Sequence, residues 1–353
     1  MRIDSALCIT LCALLGPLSA QSTGAAHLPP FDALYAFGDS LSDSGNLYRI
    51  TRTPGPLGDA LPDVPNPYYF QGRFSNGYNF VDRISQRLYG YSTPSTPMLA
   101  GGTNYAVAGA FTGQGNIALP GLPGVPPTGM LAQYGAWTAQ HASADPRALY
   151  VVYGGANDLF GLVRALPLVD PAQRDAFVRH GIGEAAGNLA QIIGGLIDRG
   201  AQHILVPNVP DLGLTPSLAG TGLESAGSAV TLAFNQALAD RLQALNGARD
   251  IVPLDVYGLF RSVIAKPQLY GLTEVTRACF PDGLTPDPAG TPCPDPQHYL
   301  FWDEMHPTAR AHGLLAAAAL AALQVPEPGI AGLFVLVGLL LGAARTRLRV
   351  RTV

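Results

Sequence analysis

Ala33-Leu34-Tyr35-Ala36-Phe37-Gly38-Asp39-Ser40-Leu41-Ser42-Asp43-Ser44-Gly45-Asn46 is the stretch whose reading decides the fold. Its first five residues are apolar and β-prone, with Pro30 upstream and Gly38 directly after, which is the pattern of a short buried strand. Small polar residues follow, of the kind that cap helices and close turns. A serine placed where a buried strand ends stands at the carboxyl edge of a parallel sheet, where open α/β folds keep their ligands. Taken alone, Gly38-Asp39-Ser40 reads equally well as a strand-ending turn with a capping serine. Its meaning depends on what the rest of the chain brings to it.

Working outward, β-rich apolar runs alternate with longer amphipathic ones. Strands are expected over 147–153, 202–206 and 250–254, and helices over 78–88, 130–141, 172–199, 223–246 and 308–323. Such alternation predicts an α/β fold with a mainly parallel sheet covered on both faces. No repeat and no linker divides residues 28–324, so one domain is expected there. The Gly- and Pro-rich stretches 47–77, 90–101 and 113–128 read as loops over one edge of the sheet.

The chain has 353 residues and a formal net charge of −4, with a single lysine, Lys266. The body carries no basic patch. Neutralising phosphates requires clustered cations, so nucleic acid is not an expected partner. Two runs mimic a dinucleotide fingerprint, Gly113-Gln114-Gly115-Asn116-Ile117-Ala118 and Gly181-Ile182-Gly183-Glu184-Ala185-Ala186. The first leads into Leu119-Pro120-Gly121, and the second lies inside a helical pattern. Neither has the strand–turn–helix context that gives the motif its meaning.

Both ends have the marks of an exported protein. Arg2, the apolar run 6–15 and the small residues Ser19-Ala20 compose a secretory leader over residues 1–20, the alternative being an ordinary buried helix. At the other end, Val325-Pro326-Glu327-Pro328-Gly329 precedes an apolar run over 330–344 and then Arg345, Arg347, Arg349 and Arg351. Fifteen helical residues span roughly 22 Å, less than a ~30 Å hydrocarbon core. Membrane contact through 330–344, with the arginines at the cytoplasmic face, follows from that pattern. Residues 325–353 resemble the PEP-CTERM sorting tail of Gram-negative bacteria, which implies an exosortase as partner and a cell-surface destination. A plain C-terminal membrane anchor is the alternative. Cys8 and Cys12 lie in the leader, which leaves Cys279 and Cys293 as an even pair in an exported chain, favouring a disulfide. Neither C-x-x-C nor H-E-x-x-H occurs, so no metal site is indicated.

A serine ester hydrolase needs a nucleophile, a base, a group that orients the base, and donors for the oxyanion. No G-x-S-x-G elbow is present. Near the C-terminus, however, Trp302-Asp303-Glu304-Met305-His306-Pro307-Thr308 sets a carboxylate three residues before a histidine at the start of an expected helix. That spacing lets Asp303 hold one ring nitrogen of His306 while the other faces a serine. The competing reading is a helix-start cluster with Asp303 as its cap. Tyr153-Gly154-Gly155-Ala156-Asn157-Asp158 follows an expected strand and so puts Asn157 at the same sheet edge as Ser40. Asn104-Tyr105-Ala106-Val107-Ala108-Gly109-Ala110 places a glycine after another apolar run.

These four pieces, in this order, resemble the GDSL family of the SGNH hydrolase superfamily over residues 33–323. The resemblance implies a flavodoxin-like three-layer α/β/α sandwich. It implies Ser40 as nucleophile, His306 as base and Asp303 as its orienting acid. The oxyanion donors would be the Ser40 and Gly109 backbone N–H groups and the Asn157 side chain. Gly72-Arg73-Phe74-Ser75-Asn76-Gly77 and Val206-Pro207-Asn208-Val209-Pro210-Asp211-Leu212-Gly213 are similar to family segments bordering the site. The implied reaction is two-step acyl transfer through an acyl-enzyme, with no cofactor. The implied substrates are esters: lipid acyl esters, phospholipids or acetylated glycans. Tyr68, Tyr69, Phe70 and Phe74 are expected to contribute to an apolar acyl site. Acyltransferase activity stays open, as does a surface-matrix protein that uses the fold for binding only.

Overall fold

The computed structural model describes residues 31–52, 65–119, 126–245, 250–285 and 290–325. The expected leader, and the expected tail apart from Val325, lie outside the described residues. Four parallel strands form the sheet: β1 (Leu34–Gly38), β2 (Leu149–Tyr153), β3 (His203–Pro207) and β4 (Asp250–Leu254), in the order β1-β2-β3-β4. Residues 103–107 run along the free edge of β1. Ala36 N–H donates to the Thr103 carbonyl at 3.3 Å, Tyr105 N–H to Ala36 at 2.8 Å and Val107 N–H to Gly38 at 3.1 Å. Counting that irregular segment as the strand it imitates, the order becomes 2-1-3-4-5, the doubly wound arrangement with its switch point at β1. The chain leaves β1, returns on one side of it, and only then crosses to the other. The crevice this opens at the end of β1 is where Ser40 stands.

The helices are α1 (Asn46–Arg52), α2 (Phe80–Tyr89), α3 (Met130–Gln140), α4 (Ala156–Ala165), α5 (Arg174–Asp198), α6 (Glu224–Leu245), α7 (Val256–Ala265) and α8 (Ala309–Ala322). Side chains alternate across the strands with period two. Phe37, Tyr150, Val152, Ile204 and Val206 face one core, shared with Trp137, Phe160, Leu189 and Phe234 from α3 to α6. Ala36, Leu149, Val151, Tyr153 and Leu205 face the other, shared with Phe80, Ile84, Phe260 and Leu315 from α2, α7 and α8. A third cluster (Leu47, Tyr69, Phe74, Phe280 and Trp302) fills the space behind the loop that carries His306.

Expected and observed elements agree within a few residues where the hydrophobic pattern is long. Helices α4 and α7 are not among the expected ones: each begins within three residues of a strand's end, where the strand's apolar run masks the helical period. The start of the expected 47–77 loop is helical, because Asp43 caps α1. A second, two-stranded parallel sheet joins β5 (Glu274–Ala278) to β6 (Tyr299–Phe301). Its strand Glu-Val-Thr-Arg-Ala is too polar to announce itself. Cys279 and Cys293 are joined by a disulfide beside this small sheet. Cys279 N–H donates to Phe301 at 3.0 Å and Phe280 N–H to Trp302 at 2.6 Å, so the bridge braces the strand that leads into Asp303. Of the two fingerprint mimics, Gly113–Asn116 is loop and 181–186 lies within α5.

His312 on α8 is 1% exposed, and its ring nitrogens have no partner among the described residues. Burial first, then the facing Arg83 on α2 and His306, push it down to about 3 from its usual 6.5. The folded protein therefore holds a neutral ring that the unfolded chain would protonate. Its contribution to stability is complete above pH 6.5 and is lost as pH falls towards 3, at about 1.4 kcal/mol per unit. The buried Asp39 and Asp158 carboxyls, both raised to about 6, act in the opposite sense over the upper part of that range. Replacing His312 by leucine is expected to remove about 2 kcal/mol of the stability otherwise lost between pH 6.5 and 5. Urea unfolding of both proteins at the two pH values measures this, and equal losses would show that His312 is not the group responsible.

Candidate active site

Gly38 ends β1 without a side chain because a Cβ there would meet the Tyr153 carbonyl oxygen at 2.4 Å. Gln133 of α3 clamps the same peptide, accepting from Gly38 N–H at 2.9 Å and donating to its carbonyl at 2.8 Å. The turn that follows is closed by Asp39, whose carbonyl accepts from Ser42 and Asp43 N–H and whose carboxylate accepts from Leu41 N–H. Ser40 is thereby lifted to the end of the sheet, with Asp39 on the buried side. It is 9% exposed.

Opposite it, Trp302 N–H donates to the His306 carbonyl at 2.7 Å and closes the 302–306 loop. Ser75 Oγ donates to the Pro307 carbonyl at 2.9 Å, and Ala309 N–H donates to Asn76 Oδ1 at 2.7 Å. The Gly72-to-Gly77 segment thus anchors the start of α8. The result is a continuous relay: His306 Nε2 lies 2.8 Å from Ser40 Oγ, and His306 Nδ1 lies 2.7 Å from Asp303 Oδ2. Asp303 is fully buried. Burial alone would raise its carboxyl, but the facing His306 and the hydrogen bonds from His306, Tyr69 and Met305 hold it below the usual carboxylate range.

The three expected oxyanion donors come from three different segments. Ser40 N–H and Gly109 N–H make no hydrogen bond among the described residues. Gly109 has φ +79°, and a Cβ there would meet Asn116 Oδ1 at 2.6 Å, so this backbone position suits glycine. Asn157, in the first turn of α4, donates to the Ala110 carbonyl at 2.9 Å. Its amide has a second hydrogen, and the side chain lines the cavity that also holds Ser40 and His306. Gly109 is not on that cavity's lining. Its link to the site residues is the bond from Asn157 to the carbonyl of the next residue, Ala110.

Asp43 was not singled out by the sequence, yet it ties these segments together. Its fully buried carboxylate accepts from Gly45, Asn46 and Leu47 N–H at the start of α1 and from Ala108 N–H at 2.9 Å. Asn46 adds bonds to the Asn104 and Ala106 carbonyls, both at 2.8 Å. The only available signal was an acid three residues after the serine, in a spacing that suits a helix cap.

The expected aromatic acyl site is corrected. Tyr69 is buried behind Asp303 and donates to Oδ2 at 2.7 Å, while Phe74 packs on the His306 ring at 5.1 Å between centroids. Tyr68 and Phe70 turn away, onto Phe280 and Tyr78. The cavity at Ser40 is lined instead by Phe160, Leu212, Phe260, Ile264, Met305 and Leu315, at the seam where the two main cores meet beyond the strand ends. Among the described residues no group of acidic, His and Cys side chains has the arrangement of a metal site.

Residues 34–319 match the GDSL-like lipase/acylhydrolase family. The chain belongs to that family of ester-bond hydrolases. It is 28% identical over 321 residues to a GDSL esterase/lipase of Arabidopsis thaliana, covering 82% of this chain and 86% of that protein. It is 29% identical over 350 residues to esterase EstA of Pseudomonas aeruginosa, covering 88% of this chain and 49% of EstA, so it spans about half the length of that relative. It is 29% identical over 276 residues to a phosphatidylcholine–sterol acyltransferase of Aeromonas hydrophila, covering 76% of this chain and 71% of that enzyme.

Asn157 is where a donor role and a turn role make different demands. Removing one oxyanion donor typically costs ~10²–10³ in kcat. Asn157→Ala is expected to lower kcat by about that factor with KM little changed, the signature of an interaction made in the transition state. Steady-state kinetics on the folded variant decides it, since a turn role would lower Tm and leave turnover near normal.

Proposed function

We infer that the protein is a serine ester hydrolase working through a Ser40–His306–Asp303 relay, with apolar acyl esters as substrates. The single observation that supports the mechanism is the unbroken 2.8 Å and 2.7 Å path from Ser40 Oγ through the imidazole to a buried carboxylate. In this reading His306 Nε2 takes the Ser40 proton as Oγ attacks the ester carbonyl. The tetrahedral oxyanion meets the N–H groups of Ser40 and Gly109 and the amide of Asn157. The imidazolium then protonates the departing alcohol, and water activated by the same base releases the acid.

What favours an acyl chain over an acetyl group is the apolar cavity beside Ser40, whose lining includes Phe260 and Ile264 of α7. Each methylene buried there contributes about 0.8 kcal/mol. Acyl transfer to a second alcohol is the companion reading, favoured by the likeness to an acyltransferase. Export through the leader, with the tail over 325–353 as an exosortase recognition and membrane-contact segment, is the localisation we infer from the two ends of the sequence.

Ser40→Ala is expected to abolish both ester hydrolysis and labelling by a phosphonate inhibitor, with the fold unchanged. Labelling that survives the substitution would move the nucleophile elsewhere. Across 4-nitrophenyl esters, kcat/KM is expected to rise at least about 10-fold from acetate to hexanoate. A preference for acetate would instead favour a deacetylase. Mass spectrometry of the mature protein from its native host is expected to find the arginine-ended tail removed. An intact Val353 would support a permanent anchor.

A further inference from the structure

Asp303 is met by four donors, and one of them is a side chain outside the serine–histidine relay. Oδ1 accepts from Met305 and His306 N–H, both at 2.8 Å. Oδ2 accepts from the Tyr69 hydroxyl at 2.7 Å, and it is the same oxygen that His306 Nδ1 approaches at 2.7 Å. Tyr69 is 4% exposed. Burial, followed by the facing Asp303 carboxylate, pushes its phenol far above the ordinary range, so it keeps its proton and acts there only as a donor. Three rings hold it: Phe74 at 5.7 Å, Phe280 at 6.1 Å and Trp302 at 6.1 Å between centroids. Phe280 follows Cys279 of the disulfide, and Trp302 precedes Asp303. The hydroxyl is aimed by packing from three separate segments of the chain.

We propose that Tyr69 is a positioning residue that sets the pH at which His306 begins to act as a base, by sharing Asp303 Oδ2 with it. The proposal rests on the serine-hydrolase reading of Ser40, His306 and Asp303. A hydrogen bond to a carboxylate oxygen draws charge away from that oxygen, and bonds to charged groups are the stronger kind. The imidazolium then faces a weaker acceptor and gives up its proton at lower pH. Without the hydroxyl, the full carboxylate charge returns to Nδ1–H and the proton is held to higher pH. Among the described residues, the other charged or titratable groups facing this relay are Asp39 beside the nucleophile, Glu304 next to Asp303, His312 on α8, and Arg83 on α2 behind His312. Replacing Tyr69 by phenylalanine leaves all of them in place, so a shift on that replacement belongs to the hydroxyl.

The test is the pH dependence of Tyr69→Phe. The acidic limb of kcat/KM is expected to move to higher pH by roughly half to one unit, with KM within about twofold. Ring-proton NMR follows the same imidazole without turnover, its signal identified by its loss in His306→Asn, and is expected to move in the same direction. Site-specific 3-fluorotyrosine at position 69 keeps the shape and donates more strongly, so it must move both readouts to lower pH. It also stands in should the phenylalanine variant fail to fold. A lower Tm with both readouts unmoved would make Tyr69 a packing residue and overturn the proposal. Wild-type protein with no Ser40-dependent hydrolysis would sink the hydrolase reading, and the NMR shift would still decide whether Tyr69 acts on His306 through Asp303.

Discussion

The carboxylate of Asp43 is the constraint on which the rest of the site depends. It is buried, and burial pushes its proton affinity up, against which the N–H groups of Ala108, Leu47, Gly45 and Asn46 pull. Satisfying that charge requires three N–H groups from the first turn of α1 and one from a segment 65 residues away. Leaving any of them unmade in so dry a place costs more than the bond itself contributes. Within a few residues, therefore, the Ser40 turn, the first helix and the Gly109 peptide have one permitted arrangement. Asn79 reinforces it by donating to the Asp43 carbonyl, and Asn104 by donating to that of Ser42.

His306 is held by different means. Its loop hangs between α8 and the small β5–β6 sheet, and the disulfide, Phe280, Trp302 and Tyr69 fill the space behind it. Aromatic packing supplies the stiffness that a strand would otherwise give, and the one hydroxyl among those aromatics, that of Tyr69, donates to Asp303. Ser40 and His306 thus ride on separate supports, one a network of buried hydrogen bonds and the other a packed cluster. They meet only across the 2.8 Å between Oγ and Nε2. The cavity at Ser40 lies between the end of β2, the segment that follows β3 and helix α7.

Much of this was legible in the sequence because it rests on local pattern. Apolar runs with period two or 3.6 revealed the sheet strands and the longer helices, and the residue spacing at 302–308 revealed how an acid could hold a histidine. Ser40, Asp303, His306, Gly109 and Asn157 all came forward as turn residues directly after strands or before a helix, which is where doubly wound folds gather their chemistry. What stayed hidden has no local pattern. Tyr69 lies in an irregular stretch whose aromatics suggested a substrate wall, and only the tertiary structure decided that its ring faces Asp303, 234 residues away. Residues 103–107 do not form a regular strand, so their place beside β1, and with it the switch point, follows from long-range pairing alone. The cavity lining was likewise decided by tertiary structure. Phe160, Leu212, Phe260 and Leu315 carry no sequence signal of a site, and it is the meeting of two cores past the strand ends that brings them to the cavity at Ser40. Periodicity reports which face of an element is buried, whereas what that face is buried against depends on contacts between residues far apart in the chain.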